Sequence, residues 1–132
     1  MSSDLIDRYY AAFNARDYET MLSLLSDDVV HDINQGGREV GREAFHAFLM
    51  RMDAAYRERI EELAVLSDAS GERAAAEFIV DGEYLAAEPG MPPARGQSYR
   101  LPAGAFFEIT RGRIHRVTTY YNVRAWLAQV AV

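Results

Sequence analysis

The chain has 132 residues, of which 49% are hydrophobic and 26% charged, and these values predict one soluble globular domain over residues 1–132. A net charge of −6 argues against a nucleic-acid binder or a protein of anionic membrane surfaces, because both need a dense basic surface. The absence of cysteine excludes disulfides, thiolate catalysis and cysteine-ligated metals, and it is compatible with the reducing cytoplasm, where we expect the protein to reside.

The first part of the chain has helical periodicity. Apolar residues at helical spacing after Ser3 predict an amphipathic helix over about residues 4–14. Asp17 is placed to cap a second, shorter helix that ends before Asp27 and Asp28. No basic-then-apolar export pattern precedes the first helix, and no stretch approaches the roughly 20 apolar residues of a membrane span. We therefore expect neither export nor a membrane partner.

A short strand is predicted over Val29–Ile33, and it ends at a turn formed by Gly36–Gly37. Gly41 then opens a third helix, which presents one apolar face and extends to Tyr56. His46 lies outside that face and is interpreted as a surface residue.

The second half of the chain is predicted to be mostly sheet, since the apolar period becomes extended from Arg59 onward. Arg111–Gly112 predicts a tight hairpin into a strand over Arg113–Val123. The proline-containing segment Ala87–Gln97 predicts a loop, and Arg124–Val130 a short helical turn. Three strands are expected before the hairpin, over about residues 60–69, 73–86 and 98–110.

The run His31-Asp32-Ile33-Asn34-Gln35-Gly36 is the densest group of side chains that exchange protons or form hydrogen bonds. Histidine titrates near neutral pH, a carboxylate accepts a proton, and an amide orients a ligand oxygen, so the group suits general acid-base chemistry. In the alternative interpretation this is a strand end leading into a turn, with Asp32 and Asn34 solvated or bonded to nearby backbone.

Three helices followed by a long antiparallel sheet predict an α+β domain in which the helices cover one face of a curved sheet. The informative motifs are Tyr9-Tyr10-Ala-Ala-Phe13-Asn14-Ala-Arg16-Asp17, Leu24-Leu25-Ser26-Asp27-Asp28-Val29-Val30, Gly41-Arg42-Glu43-Ala44-Phe45, Gly112-Arg113-Ile114 and Tyr120-Tyr121-Asn122. These motifs and the order of the elements resemble the nuclear transport factor 2-like superfamily, in particular ketosteroid isomerase-related and SnoaL-like proteins. The resemblance implies a cone-shaped fold, a small-molecule ligand and a homodimer formed through the outer sheet face.

The resemblance also implies roles for single residues. Tyr9 falls where ketosteroid isomerases keep the tyrosine that donates to the developing oxyanion, and Tyr121 matches an aromatic residue that faces the cavity. The base position, counted without a gap, falls on Ile33, directly after Asp32. The second oxyanion donor of those enzymes, a neutral aspartic acid, falls on Gly104 and is absent here.

Strand alternation places His31 and Ile33 on one face, so His31 is expected inside the cone near Tyr9 and Tyr121. The same alternation points Asp32 away from the cavity unless a bulge restores its register. Glu77 has apolar neighbours on both sides and is a candidate ligand contact, with a solvent-facing or dimer-facing position as the alternative.

Two functions follow as expectations. The first is a cofactor-independent enzyme for proton transfer beside a carbonyl, an isomerase or an aldol cyclase, with Asp32 or His31 as base, Tyr9 as oxyanion donor and Tyr121 as a candidate second donor. In this hypothesis Asn34, Tyr121 and Glu77 contact the substrate. The second is a non-catalytic ligand-binding or scaffolding module. No metal is expected, because the three histidines lack paired spacing, and no glycine-rich nucleotide loop is present.

Overall fold

A computed structural model describes residues 2–131, which form four helices packed against one six-stranded sheet. The helices are α1 (Ser2–Asn14), α2 (Tyr18–Ser23), α3 (Arg42–Ala55) and α4 (Val123–Val130). The strands are β1 (Leu25–Ile33), β2 (Arg38–Val40), β3 (Tyr56–Ser67), β4 (Arg73–Tyr84), β5 (Gln97–Thr110) and β6 (Arg113–Tyr121).

The sheet order is β2-β1-β6-β5-β4-β3, and every pair is antiparallel except β1 with β6. Helix α1 packs on β3 and β4, α3 on β1 and β3, and α4 on β5. The helices therefore cover one face of a curved, open sheet, here called the inner face, and leave the opposite, outer face uncovered. The predicted α+β cone is confirmed.

The hairpin between β5 and β6 also forms as predicted. Arg111 and Gly112 have φ angles of 53° and 75°, which suits the two-residue turn that matches the twist of the flanking strands. Val117 and Tyr121 lie on the inner face of β6, and Tyr120 lies on the outer face. This face assignment fixes which aromatic residues point toward the helices.

The second helix ends earlier than the sequence predicted. Asp17 caps it by accepting a hydrogen bond from the Thr20 amide at 3.1 Å, but the helix stops at Ser23 and the strand begins at Leu25 instead of Val29. Leu25 is fully buried and pairs with β6, with a register shift before residue 30. Tertiary pairing thus sets this boundary against the local signal.

The third helix also ends one residue early, and this changes the assignment of the following strand. Tyr56 has extended angles, φ −136° and ψ 148°, and is the first residue of β3, which was predicted to start at about residue 60. Tyr56 pairs across the sheet with Tyr84. The short edge strand β2 was not predicted, because three residues of mixed polarity carry no period.

The core fills the inner face. Tyr84, Phe107 and Ile114 are among its fully buried side chains. None of the described helices combines the length and the apolar composition needed to cross a bilayer.

Candidate functional site

His31 lies on the inner face, as predicted, but under α3. Its side chain is 6% exposed, and its ring centroid lies 4.8 Å from that of Phe45 and 4.5 Å from that of Phe48. Burial lowers the pKa of His31, while Glu39, its partner across the β1–β2 pair, opposes that shift. The Nδ1 atom has no hydrogen-bond partner. His31 is therefore a buried, mainly neutral ring in a phenylalanine pocket, and no contact joins it to Tyr9.

Asp32 lies on the outer face, where two arginines hold it. Its carboxylate accepts hydrogen bonds from Arg38 at 2.6 and 3.1 Å and from Arg116 at 3.0 Å. The Arg38 guanidinium, followed by that of Arg116, keeps the pKa of Asp32 below its ordinary value. Asp32 is thus turned away from the inner face and is a weak proton acceptor, so the expectation of an interior base at this position does not fit the structure.

The other predicted site residues are scattered. Tyr9 is 4% exposed and packs edge-on against Phe107, with a centroid distance of 5.7 Å, and burial raises its pKa. Asn34 donates to the backbone carbonyl of Tyr121 at 3.4 Å. Glu77 is exposed on the outer face, which matches the alternative interpretation of that residue.

The structure also changes what the match of Gly104 to the position of the second oxyanion donor implies. Gly104 pairs with Tyr120 and lies on the outer face, so its inner-face neighbours along β5 are Ala103 and Ala105. An acid at position 104 would point out of the cone, and both inward positions carry alanine. The inner face therefore has no carboxyl group at this level of β5.

A carboxyl group does reach the inner face from β3. Glu58 accepts a hydrogen bond from the Tyr99 hydroxyl of β5, although β4 lies between the two strands. Glu58 pairs with Gly82, and Gly82 pairs with Tyr99, so the three residues form one row across the sheet. The Tyr99 ring lies over Gly82 and is 2% exposed.

The surroundings of this pair shift its proton affinities. Burial raises the pKa of Glu58, and the Tyr99 hydrogen bond and the positive charge of Arg16 oppose that rise. Burial also raises the pKa of Tyr99, and the Glu58 carboxylate adds to the effect. A carboxyl group with a raised pKa beside a neutral hydroxyl is the combination that general acid-base catalysis uses.

Aromatic rings wall this carboxyl group. Tyr56 stacks on Tyr84 at 5.6 Å, and the edges of both contact Trp126 of α4, at 6.1 and 5.0 Å. The Tyr56 hydroxyl donates to Glu88 in the loop after β4 at 2.7 Å. Tyr121 belongs to the same region, because its pKa is raised first by burial and then by the charges of Glu58 and Glu88.

The free space beside Glu58 is small. A pocket of about 20 Å³, enough for one water molecule, opens between Glu58, the α1–α2 turn and α3. At its rim Tyr18 donates to Asp53 at 2.6 Å, and Arg16 donates to the Glu58 backbone carbonyl at 2.8 Å. The remaining lining residues are Phe13, Leu49, Met52 and Tyr56.

A larger groove lies elsewhere, and its titratable side chains are exposed or already paired. It has a volume of about 540 Å³, is open to solvent, and lies at the start of α3. Arg42 in this groove is paired with Asp27 at 2.9 Å. Within residues 2–131 no three His, Asp or Glu side chains come together as metal ligands. The Glu58–Tyr99 pair is therefore the better candidate site.

Sequence analysis missed Glu58 because it placed the helix end at Tyr56 and the strand start near residue 60. The signal was present, since Tyr56, Glu58 and Ile60 alternate and share the inner face. The Tyr99 contact had no local signal, because it depends on the register of three strands. The bond from Tyr56 to Glu88 had no local signal either, because Glu88 lies in the loop after β4.

Comparisons with known proteins agree with the fold. A family model described as the SnoaL-like domain matches residues 6–117. A proposed polyketide cyclase of Pseudomonas putida KT2440 is 54% identical, with 99% of this chain and 98% of that chain covered and a TM-score of 0.97. A proposed polyketide cyclase of Xanthomonas campestris pv. campestris is 48% identical over 97% and 95% of the two chains, with a TM-score of 0.94.

A third solved structure, of a proposed polyketide cyclase from Silicibacter sp. TM1040, is 47% identical over 99% and 96% of the two chains, with a TM-score of 0.97. No curated protein matches the chain at a significant level. The similar solved structures therefore support the fold of this chain.

Proposed function

The chain belongs to the SnoaL-like domain family, and from that premise we propose that it binds an apolar, oxygenated small molecule and transfers a proton beside its carbonyl group. The observation that carries this proposal is the Glu58–Tyr99 pair. The carboxyl group of Glu58 has a raised pKa, accepts a hydrogen bond from the Tyr99 hydroxyl and is surrounded by aromatic rings. Isomerisation and aldol cyclisation both begin with such a transfer. The similar proteins are proposed polyketide cyclases, and the aldol cyclisation of a polyketide is a reaction of this class.

In the proposed mechanism, ionised Glu58 removes a proton from the carbon next to the carbonyl. The electron pair of the broken C–H bond forms a C=C bond, the π pair of the carbonyl moves to its oxygen, and this enolate oxygen accepts a hydrogen bond from Tyr99 or Tyr121. The protonated Glu58 returns the proton to a second carbon in an isomerisation, or to the new alkoxide after carbon–carbon bond formation in an aldol reaction. No cofactor takes part in either sequence.

This proposal assigns the base to Glu58 in place of Asp32. Asp32 lies on the outer face with its pKa lowered by two arginines, whereas Glu58 lies inside with its pKa raised. His31, under α3, keeps a supporting role in packing. Tyr9 remains a candidate wall residue, because it is buried beside Phe107 on the inner face.

Ligand binding requires side chains to move, since the pocket beside Glu58 holds about one water molecule. The rim offers side chains that are able to rotate. Arg16, Tyr18 and Met52 are each partly exposed, and the Arg16–Asp53 ion pair is long, at 4.0 Å. Such an exposed pair contributes about 0–1 kcal/mol, so breaking this ion pair costs little, and opening the rim also breaks the hydrogen bonds from Tyr18 to Asp53 and from Arg16 to the Glu58 carbonyl.

The test uses 2-tetralone, an apolar bicyclic ketone, in deuterium oxide. Proton NMR measures deuterium exchange at its α-carbon with and without protein. We expect the protein to accelerate exchange, and Glu58→Gln to lower the protein-dependent rate by about 10²-fold to 10⁴-fold. Tyr99→Phe lowers the rate as well, because it removes an oxyanion donor.

Asp32→Asn and Glu77→Gln are the matched controls, since each removes a carboxylate from the outer face and is expected to keep the wild-type rate. Exchange that survives Glu58→Gln, or that is lost in Asp32→Asn, contradicts the assignment. No acceleration by the wild-type protein overturns the enzyme hypothesis. The small pocket then favours the alternative, a non-catalytic binding or scaffolding module.

We also propose that the protein forms a homodimer through the outer sheet face. Phe106 and Tyr120 are 47% and 49% exposed there, and their rings meet edge-on at 5.8 Å. Exposed aromatic rings on a central strand pair are typical of a protein interface. The oligomeric state in solution tests this part of the proposal.

A further inference from the structure

Glycine at position 82 occupies an unusual place in the sheet. It lies in the middle of the row that joins Glu58 of β3 to Tyr99 of β5, and its residue is buried. Glycine is unfavourable in a strand interior and often marks a point where another group approaches the backbone closely. Here the approaching group is the ring of Tyr99.

The fit leaves no room for a side chain at residue 82. A Cβ atom added there would lie 2.6 Å from both Cε2 and the hydroxyl oxygen of Tyr99. Contacts under 3.0 Å essentially never occur for a real Cβ atom. The ring has little freedom to retreat, because Tyr99 is 2% exposed and the edge of its ring meets Trp126 at a centroid distance of 6.1 Å.

The geometry of the row explains why residue 82 has to lack a side chain. Glu58 and Tyr99 belong to strands that are not neighbours, and adjacent strands in a sheet are about 4.8 Å apart. The tyrosine therefore has to lie flat across the intervening strand to bring its hydroxyl to the carboxylate. Any side chain at position 82 on the inner face would occupy that path.

We propose that Gly82 is a positioning residue of the acid-base site: its missing side chain lets Tyr99 cross β4 and place its hydroxyl on Glu58. This inference deepens the proposed function and rests on it for its catalytic meaning, but the coupling itself is measurable without any substrate. The Tyr99 hydroxyl stabilises the ionised carboxyl, so displacing it raises the proton affinity of Glu58.

The test is a carbon-13 NMR titration of the glutamate carboxyl groups in the free protein, with the Glu58 signal assigned by its loss in Glu58→Gln. Gly82→Ala is expected to raise the pKa of Glu58 by about 1 to 2 relative to wild type, as is Tyr99→Phe, since a hydrogen bond to a charged group is worth that much. In the double variant Gly82→Ala adds nothing, because the hydroxyl through which it acts is gone.

Gly104→Ala is the control, because it places a methyl group on an interior strand position of the outer face, away from the row. It is expected to leave the Glu58 titration unchanged. An unchanged titration in Gly82→Ala, or a further rise in the double variant, overturns the proposal. A purely structural role would lower stability without moving this pKa.

If Gly82→Ala fails to fold, adding the second substitution Tyr99→Leu to the same protein tests whether the clash with the tyrosine ring is the cause. Leucine is shorter and removes the clash, so adding it is expected to restore the fold; no restoration overturns the positioning role. Failure of the proposed function looks different, since absent 2-tetralone exchange would leave the Gly82–Tyr99–Glu58 coupling in place.

Discussion

Replacing Glu58 by glutamine should make the protein more stable at neutral pH. Glutamine keeps an oxygen that accepts from the Tyr99 hydroxyl and has nearly the same volume, so packing changes little. It removes the charge that burial disfavours, the cause that raises the pKa of Glu58. The acid-base group is thus expected to reduce stability in its ionised form.

The sign of the pH dependence follows from linkage. The folded protein holds the Glu58 proton more tightly than the unfolded chain, in which a glutamate titrates near pH 4.3. The stability carried by this group is therefore fully present below about pH 4.3 and is lost as pH rises through the folded-state pKa. The loss is about 1.4 kcal/mol for each pH unit that separates the two pKa values.

Urea unfolding across pH 4 to 8 measures this effect. With a urea slope of about 2 kcal/mol/M, each such unit shifts the midpoint by about 0.7 M. We expect the difference between Glu58→Gln and wild type to be small at pH 4 and to favour the variant increasingly at higher pH. Glu77→Gln, at an exposed glutamate, is the control. Equal pH profiles for wild type and Glu58→Gln would refute the reasoning.

Three further predictions concern other parts of the molecule. Burial lowers the pKa of His31, so the stability that this residue contributes is lost as pH falls below about 6.5. Thermal melts of His31→Phe should therefore show a weaker acid destabilisation than those of wild type, and equal melts would contradict this. Asp32→Asn should lower the free energy of unfolding at pH 7 by about 1 kcal/mol or less in urea unfolding, because the ion pairs of Asp32 with Arg38 and Arg116 are partly solvated. The difference should vanish at low pH, below the lowered pKa of Asp32, and a difference that persists there argues against the ion pairs. Phe106→Glu should convert a species of twice the monomer mass to monomer in light scattering, while Thr110→Glu, at the exposed end of the same strand, should not; a wild-type monomer would remove the proposed dimer.

The sequence predicted the long elements well because their apolar periods are set by one buried face. The hairpin at Arg111–Gly112 was predictable for a local reason, since few turns join two strands in two residues. The errors at Leu25 and Tyr56 lie where a strand begins directly after a helix. There the partner strand decides the boundary, and no local pattern reports the partner.

The candidate site was predicted less well, for reasons that its geometry makes clear. Alternation along β1 correctly put His31 inside and raised the difficulty with Asp32, but the family base position drew attention to that strand. Glu58 was obscured by a boundary error of a few residues. Its bond to Tyr99 depends on Gly82 between them, a relation among residues 24 and 17 positions apart that only the sheet register brings together.

The most direct test of the central claim compares the pH dependence of 2-tetralone exchange with the NMR titration of Glu58, in wild type and in Tyr99→Phe. If Glu58 is the base, the rate rises with pH through the pKa measured for Glu58, and both move upward together when the Tyr99 hydroxyl is removed. A rate profile that stays in place while the Glu58 titration moves would contradict the account.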